Sequence, residues 1–288
     1  MRTFGRLICM SVFVSAPSAN AQDLLDSATW IESDIGARGA VYDRARDLIY
    51  TTIGSSAGAP TGNSLSKVDP GSLAITQSIN IGSEPRLLAI SDDSSAVYVG
   101  IDGARAFRSF DPATNGVGSL VPLFTGSFND PSVVEDIAVA PGRPDTVLIV
   151  RDQVGSSADG DLGVYRGGVE VGGTNTSFPD TNSIAFDGPD RVVAFNNSNT
   201  GFDLTSWDFD GSNLQQDGRV GSIVSGFGIE IEVAGGMVFS ETGVVADAST
   251  LGGLGTFTGA GGAVEPIAEL GITYFLSGGE LRVYDNST

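Results

Sequence analysis

The sequence predicts an all-β chain, a β-propeller of about six four-stranded blades, and three observations carry that expectation. Short apolar, β-branched or aromatic runs recur at residues 48–52, 97–101, 147–151, 192–196, 237–241 and 274–277, mostly one run every roughly 36 to 50 residues, the period of a propeller blade. Forty glycines in 288 residues mark many short elements joined by tight turns. No segment sustains a 3.6-residue apolar period, so helices are expected to be nearly absent.

Each recurring run follows a partner strand that opens on a polar residue and then alternates small with large, as in Arg86-Leu-Leu-Ala-Ile-Ser91, Glu135-Asp-Ile-Ala-Val-Ala140 and Asn182-Ser-Ile-Ala-Phe-Asp187. Turn signals such as Asp92-Asp93-Ser94 and Gly188-Pro189-Asp190 join the two. A third strand ends in Asp plus a turn: Lys67-Val-Asp-Pro70, Ser109-Phe-Asp-Pro112, Trp207-Asp-Phe-Asp-Gly211, Ala246-Asp-Ala248 and Val283-Tyr-Asp285. A fourth, at residues 74–81 in the first unit, returns before the next. Units start near residues 38, 86, 135, 182, 229 and 265. One twisted four-stranded sheet cannot cover both its faces, so such units must stack, each face against a neighbour. Small residues in the first strand of each unit fit a crowded inner wall. A β-sandwich of similar strand count leaves so regular a period unexplained.

The amino terminus reads as a targeting segment. Arg2 and Arg6 precede an apolar run at residues 7–14, and Ala19-Asn20-Ala21 supplies the small-x-small cleavage pattern. Residues 1–21 are therefore expected to be a signal peptide, with Gln22 first in the mature chain and 22–288 a single propeller domain. The apolar run is too short for a bilayer core of roughly 30 Å, so no membrane span is expected after its removal. Cys9, the sole cysteine, lies inside this segment, which leaves the mature protein without thiol or disulfide chemistry. Loss of Arg2 and Arg6 takes the formal charge from −20 to −22, suited to a soluble extracytoplasmic monomer, periplasmic or secreted. Fifteen basic residues against 35 acidic ones argue against nucleic acid and against an anionic membrane surface as partners. The absence of histidine removes the usual general base, the commonest zinc ligand and every Ser-His or Cys-His nucleophile arrangement.

Asp43-Arg-Ala-Arg-Asp-Leu-Ile-Tyr50, Ile81-Gly-Ser-Glu-Pro-Arg86 and Ser91-Asp-Asp-Ser-Ser-Ala-Val-Tyr-Val-Gly100 resemble the repeats of bacterial YVTN-repeat propellers, related in fold to the lactonase-like and quinoprotein-like seven-bladed superfamily. The resemblance covers roughly residues 36 to 285 and implies an exported propeller of a type often attached to cell-surface proteins. The chain departs from the family in blade number: the sixth unit reaches Asp285-Asn-Ser-Thr288 where its fourth strand should begin. Two readings follow. Either Ser27-Ala-Thr-Trp-Ile-Glu-Ser33 supplies the outer strand of the last blade and closes a ring of six, or the chain is a seven-bladed type lacking its C-terminal end.

The polar residues that open the inner strands are the candidate ligand-binding set. In a propeller they converge at one mouth of the channel, which would bring together Arg38, Arg86, Glu135, Asp136, Asn182 and Glu230. Two guanidinium groups facing carboxylates can hold a carboxylate, a sugar-like ligand or a cation; the plainer alternative is that they pair with one another. Neighbouring strand residues point to opposite faces, so Glu135 and Asp136 cannot both serve one bond, which argues against glycosidase chemistry. Calcium is the one cofactor the sequence raises: Ser206-Trp-Asp208-Phe-Asp210-Gly211 has oxygens at alternate positions, and Asp217 falls twelfth in that count. The alternative is a strand running into a tight Asp-Gly turn. A second acidic loop is Ser156-Ser-Ala-Asp-Gly-Asp161.

The expected function is a non-catalytic binding module for a protein, glycan or small-molecule ligand, using the channel mouth and the loops at residues 54–63, 153–161 and 172–181. The alternative raised by the resemblance is a lactonase-like hydrolase with a metal cage of Glu135, Asn182 and Glu230. An exported structural component ranks third. Trp30 and Trp207 are too few for a quinone cofactor ring.

Overall fold

A computed structural model of the chain describes residues 7–12, 28–125, 130–153, 161–174 and 181–287. Among them there is no α-helix; three single 3-10 turns, at Ser55–Ala57, Asp102–Ala104 and Ala268–Leu270, interrupt a succession of strands. Six antiparallel sheets follow one another along the chain, one per repeat, each running outward from an inner strand. The inner strands are Ala37–Asp43, Pro85–Ile90, Asp130–Val139, Ser183–Phe186, Ile231–Ala234 and Ala263–Ile267, close to the unit starts expected from the repeat. The first, fourth and fifth blades have four strands; the second and third carry an additional short strand; the sixth has three.

The chain divides into two compact units. The first comprises Met1–Met10, Trp30–Pro179 and Gly211–Asn213, and holds the first three blades. The second comprises Ser11–Thr29, Asp180–Asp210 and Leu214–Thr288, and holds the last three.

Within the first unit the core lies between blades, as the burial argument requires. Tyr50 and Leu65 of the first blade pack with Leu88, Val99 and Phe110 of the second. Tyr98 and Phe107 of the second meet Val134, Ile149 and Tyr165 of the third. Edge-to-face rings, Tyr50 on Phe110 at 5.6 Å and Phe107 on Tyr165 at 4.9 Å, sharpen those contacts. Polar links cross the same seams at an offset of one repeat: Arg46 donates to the Ser94 carbonyl (2.8 Å), Lys67 to Asn115 Oδ1 (2.6 Å) and the Tyr98 hydroxyl to the Pro144 carbonyl (2.9 Å). The second unit repeats the plan, with Val193, Phe195 and Leu204 against Ile231 and Val238, and Phe239 and Val245 against Val264 and Phe275. Burial of each such side chain contributes about 1.5–3 kcal/mol, so the seams hold most of the stabilisation.

Glycines of the first and second strands answer to the neighbouring blade. A Cβ on Gly39, in an inner strand, would lie 2.7 Å from the Arg86 carbonyl oxygen, and one on Gly100, in the second strand of its blade, 2.9 Å from Val134. The aspartates that end third strands are turn formers. Asp69 Oδ1 accepts the Ser72 N–H, Asp111 Oδ1 that of Ala113, Asp247 Oδ1 those of Ser249 and Thr250, and Asp285 Oδ1 that of Ser287. The third blade departs from this pattern and turns on Gly167 and Gly168, both at positive φ.

One strand assignment is corrected. Ala28–Ser33 does form a strand, but it pairs with Leu7–Val12 in a two-stranded sheet and does not supply the outer strand of the last blade. Ser27 lies outside the described residues.

Candidate functional site

In the first unit, the residues expected to open the inner strands share a backbone device. The ladder between the first and second strands of each blade shifts register, at its start between Ala37 and Gly39 and between Pro85 and Leu88, and in mid-strand between Val134 and Asp136, so that Glu135 does not open its strand. Arg38, Arg86 and Glu135 therefore sit in β-bulges of three consecutive blades. A bulge breaks the alternation of faces and re-aims the side chain it carries, and bulges concentrate beside binding sites.

The three side chains enter one network. Arg38 pairs with Glu84, its guanidinium lying against Gly54, where a Cβ would overlap it. Glu84 also accepts the Ser55 N–H (3.2 Å) and the Ser55 hydroxyl. Its backbone is left-handed, φ 53°, immediately before Pro85, a conformation kept where surrounding contacts over-determine it. The Ser55 hydroxyl, with help from Arg38, holds the Glu84 carboxyl below its ordinary pKa. Arg86 Nε stands 3.1 Å from Asp102 Oδ2 and Nη2 3.5 Å from Glu135 Oε2, and Nη2 donates to the Val134 carbonyl. Asp102 opens the 3-10 turn after the second strand of its blade, its N–H bonded to the Glu84 carbonyl (3.1 Å). Burial raises the Asp102 pKa, opposed by Arg86 and Arg38. Arg86, Asp102 and Glu135 keep between 22 and 28 % of their side-chain surface exposed, so the network is neither sealed nor free in water. Asp136 follows Glu135 in the strand, and its carboxylate accepts the Ile137 N–H at 2.8 Å.

The second unit gathers Asn182 and Glu230 by a different route. Asn182 is buried; its N–H donates to the Phe195 carbonyl and its Oδ1 accepts the Asn197 N–H, 3.0 and 3.1 Å. Asn197 Nδ2 reaches the Ile229 carbonyl (2.9 Å), and Glu241 Oε2 accepts the N–H of the buried Glu230 (3.1 Å). These bonds tie the starts of two inner strands together. Beside them Phe227, flanked by Gly226 and Gly228 at positive φ, is 65 % exposed with its ring 5.1 Å from that of Phe202.

The three calcium candidates, Asp208, Asp210 and Asp217, lie on two facing strands and the turn between them. Among the described residues no group of three or more acidic, His or Cys side chains is placed to hold a metal ion. Asp208 and Asp210 flank Phe209, whose side chain is buried with that of Trp207, so the stretch is strand and turn. Asp217 is the extra residue of a bulge in the facing strand, between the pairs Ser206–Gly218 and Trp207–Gln216, and binds Arg191 at 2.8 Å. Of the second acidic loop, residues 156–160 lie outside the described residues, as do 154–160 and 175–180 of the two later loops; Asp161 is described and pairs with Arg151.

Sequence reasoning missed Glu84, Asp102 and Phe227. Glu84 stands directly before Pro85, and Asp102-Gly103 directly after a strand, both turn signals that carry no hint of convergence.

No family model matches the chain, and no curated protein matches it. Solved structures do. The chain is similar to Kuenenia stuttgartiensis hydrazine synthase, with a TM-score of 0.66 and 15 % identity over 91 % of this chain and 88 % of that one. It is similar also to dihydro-heme d1 dehydrogenase NirN in complex with DHE (TM-score 0.60, 14 % identity, 89 % of this chain and 56 % of that one) and to the Dos1 propeller (0.60, 15 %, 89 % and 68 %). At such identities the likeness shows the fold. With the six sheets it establishes the class: a six-bladed β-propeller.

Proposed function

We propose that the chain is an exported propeller of the YVTN-repeat type that works as a binding module, taking a ligand or a protein partner at the polar starts of its inner strands. One observation carries this reading: three consecutive bulges present Arg38, Arg86 and Glu135 to a partly exposed network with Glu84 and Asp102. Two guanidinium groups held by three carboxylates suit recognition of a polar ligand bearing both acceptor and donor groups, such as a hydroxylated carboxylate or a glycan. Their mutual pairing pre-organises them, so little side-chain entropy is lost on binding. Export rests on the Arg2, Arg6 and Ala19-Asn20-Ala21 pattern, which has the periplasm or the exterior as its destination.

The test is a thermal-shift and calorimetric screen of the protein against glycans and small hydroxy acids. A hit weakened about tenfold or more by Arg86→Gln and by Glu135→Gln is expected. Ring opening in a parallel panel of lactones would replace the binding reading by the hydrolase. Mass spectrometry of the exported protein is expected to find Gln22 at its amino terminus.

A further inference from the structure

We propose that the outer edges of the second and third blades form a docking groove for an extended segment of a partner protein carrying a basic side chain two positions from an apolar one. The outer strand of the second blade is split: Gly116–Val117 and Val121–Pro122 each pair with Ala106–Asp111, and Ser119 and Leu120 fall outside the ladder. Two cavities open at the break, about 430 and 470 Å³, with Tyr98 and Ser109 common to both. The first is walled by Phe107, Leu120 and Val121 and by Gly167 and Gly168, the turn of the third blade. That turn is close enough for a Cβ on Gly168 to touch Val121 at 3.2 Å.

Apolar surface collects here. Of the nine exposed large apolar side chains among the described residues, Val117, Leu120, Val169 and Val171 lie on the outer edges of these two blades, and Val169 is 65 % exposed. Leu120 lines the first cavity and Val117 the second, so two of these side chains belong to the groove itself. The charge of the groove selects the occupant. Asp111 and Asp145 line the second cavity and no basic residue lines either one, Arg46 and Lys67 standing at the border of the second, where Arg46 acts on Asp111 and Lys67 bonds Asn115. In an extended segment, side chains two residues apart share a face about 6–7 Å apart. The two cavities share Tyr98 and Ser109 and so adjoin, which puts one apolar and one basic side chain of a single extended segment within reach of both, while the segment's backbone is free to pair at the interrupted edge.

The experiment uses the protein and an array of immobilised ten-residue peptides. One set places Lys or Arg two positions from Leu or Phe, a second places them adjacent, and a third replaces the basic residue by Glu. Capture is expected to favour the first set. Fluorescence anisotropy on the best peptide should show binding about tenfold weaker with Leu120→Asp, weaker by a smaller factor with Asp145→Asn, and falling as salt rises. Leu120 is 43 % exposed, so Leu120→Asp should leave the thermal midpoint unchanged; Ser119→Arg provides a second disruption should it not. The proposal is overturned by equal capture of the three sets, by absence of capture, or by unchanged binding with both Leu120→Asp and Ser119→Arg. It is overturned too by a concentration-dependent dimer in light scattering that Leu120→Asp abolishes, which would make a second copy the occupant. Arg86→Gln should leave peptide capture intact, so this outcome is separate from that of the inner-strand site.

Discussion

Arg86 and Asp102 face each other at 3.1 Å, Nε to Oδ2, in a pairing where burial raises the acid's pKa and the guanidinium opposes that rise. Removing the cation leaves Asp102 and Glu135 partly desolvated without it. Arg86→Ala should therefore cost roughly 1–3 kcal/mol at pH 7, less than a sealed pair because a quarter of each side chain is exposed. The sign with pH is specific. A carboxyl whose folded pKa is raised binds its proton more tightly in the native state, so its charge penalises folding above that value and the penalty fades as pH falls towards the ordinary 3.8. Urea midpoints of the variant and parent should converge between pH 7 and pH 4; a constant gap would show that the charge is not the cause.

Asp247 behaves in the opposite sense. Hydrogen bonds from Ser249 and Thr250 lower its pKa to about 2. Its contribution is present above the ordinary 3.8 and is lost as pH falls through about 2. Asp247→Ala should lower the urea midpoint at pH 7, with parent and variant drawing together below pH 3.

Gly39 and Gly100 probe the seams between blades. Gly39→Ala meets the Arg86 backbone carbonyl, which cannot swing away, so a loss of about 1–3 kcal/mol is expected. Gly100→Ala, against the Val134 side chain, should cost a similar amount or somewhat less. Gly255→Ala, with open space at its Cβ, should change the thermal midpoint little, and it serves as the control.

Calcium should have no effect on melting. Asp208 and Asp210 belong to a strand and its turn, and Asp217 is occupied by Arg191. Thermal midpoints with millimolar calcium and with chelator are expected to agree; a rise with calcium would establish the site.

Much of the fold was legible because repetition is a property of sequence. The second strands expected from apolar runs appear as Leu48–Ile53, Val97–Ile101, Thr146–Gln153, Arg191–Phe195, Met237–Ser240 and Ile272–Ser277. The Asp-turn signals likewise read correctly, since an aspartate bonding the next few N–H groups is a local matter. The candidate site was legible only in part. Arg38, Arg86 and Glu135 were found by their place in the repeat, but their partners Glu84 and Asp102 sit on turns that become neighbours only when strands pair. Asp217 illustrates the same dependence on pairing: along the chain it falls twelfth in the count from Ser206, while in the fold a bulge sets it beside Arg191.

Composition and period thus determined, without coordinates, an acidic, histidine-free, all-β chain of six repeating sheets, because strand alternation and turn chemistry act over a few residues. Tertiary structure alone decided which charges meet, which glycines bear a neighbouring blade, and where an outer strand breaks at Ser119 and Leu120. Those outcomes depend on register, and a one-residue bulge shifts register with almost no mark in the sequence.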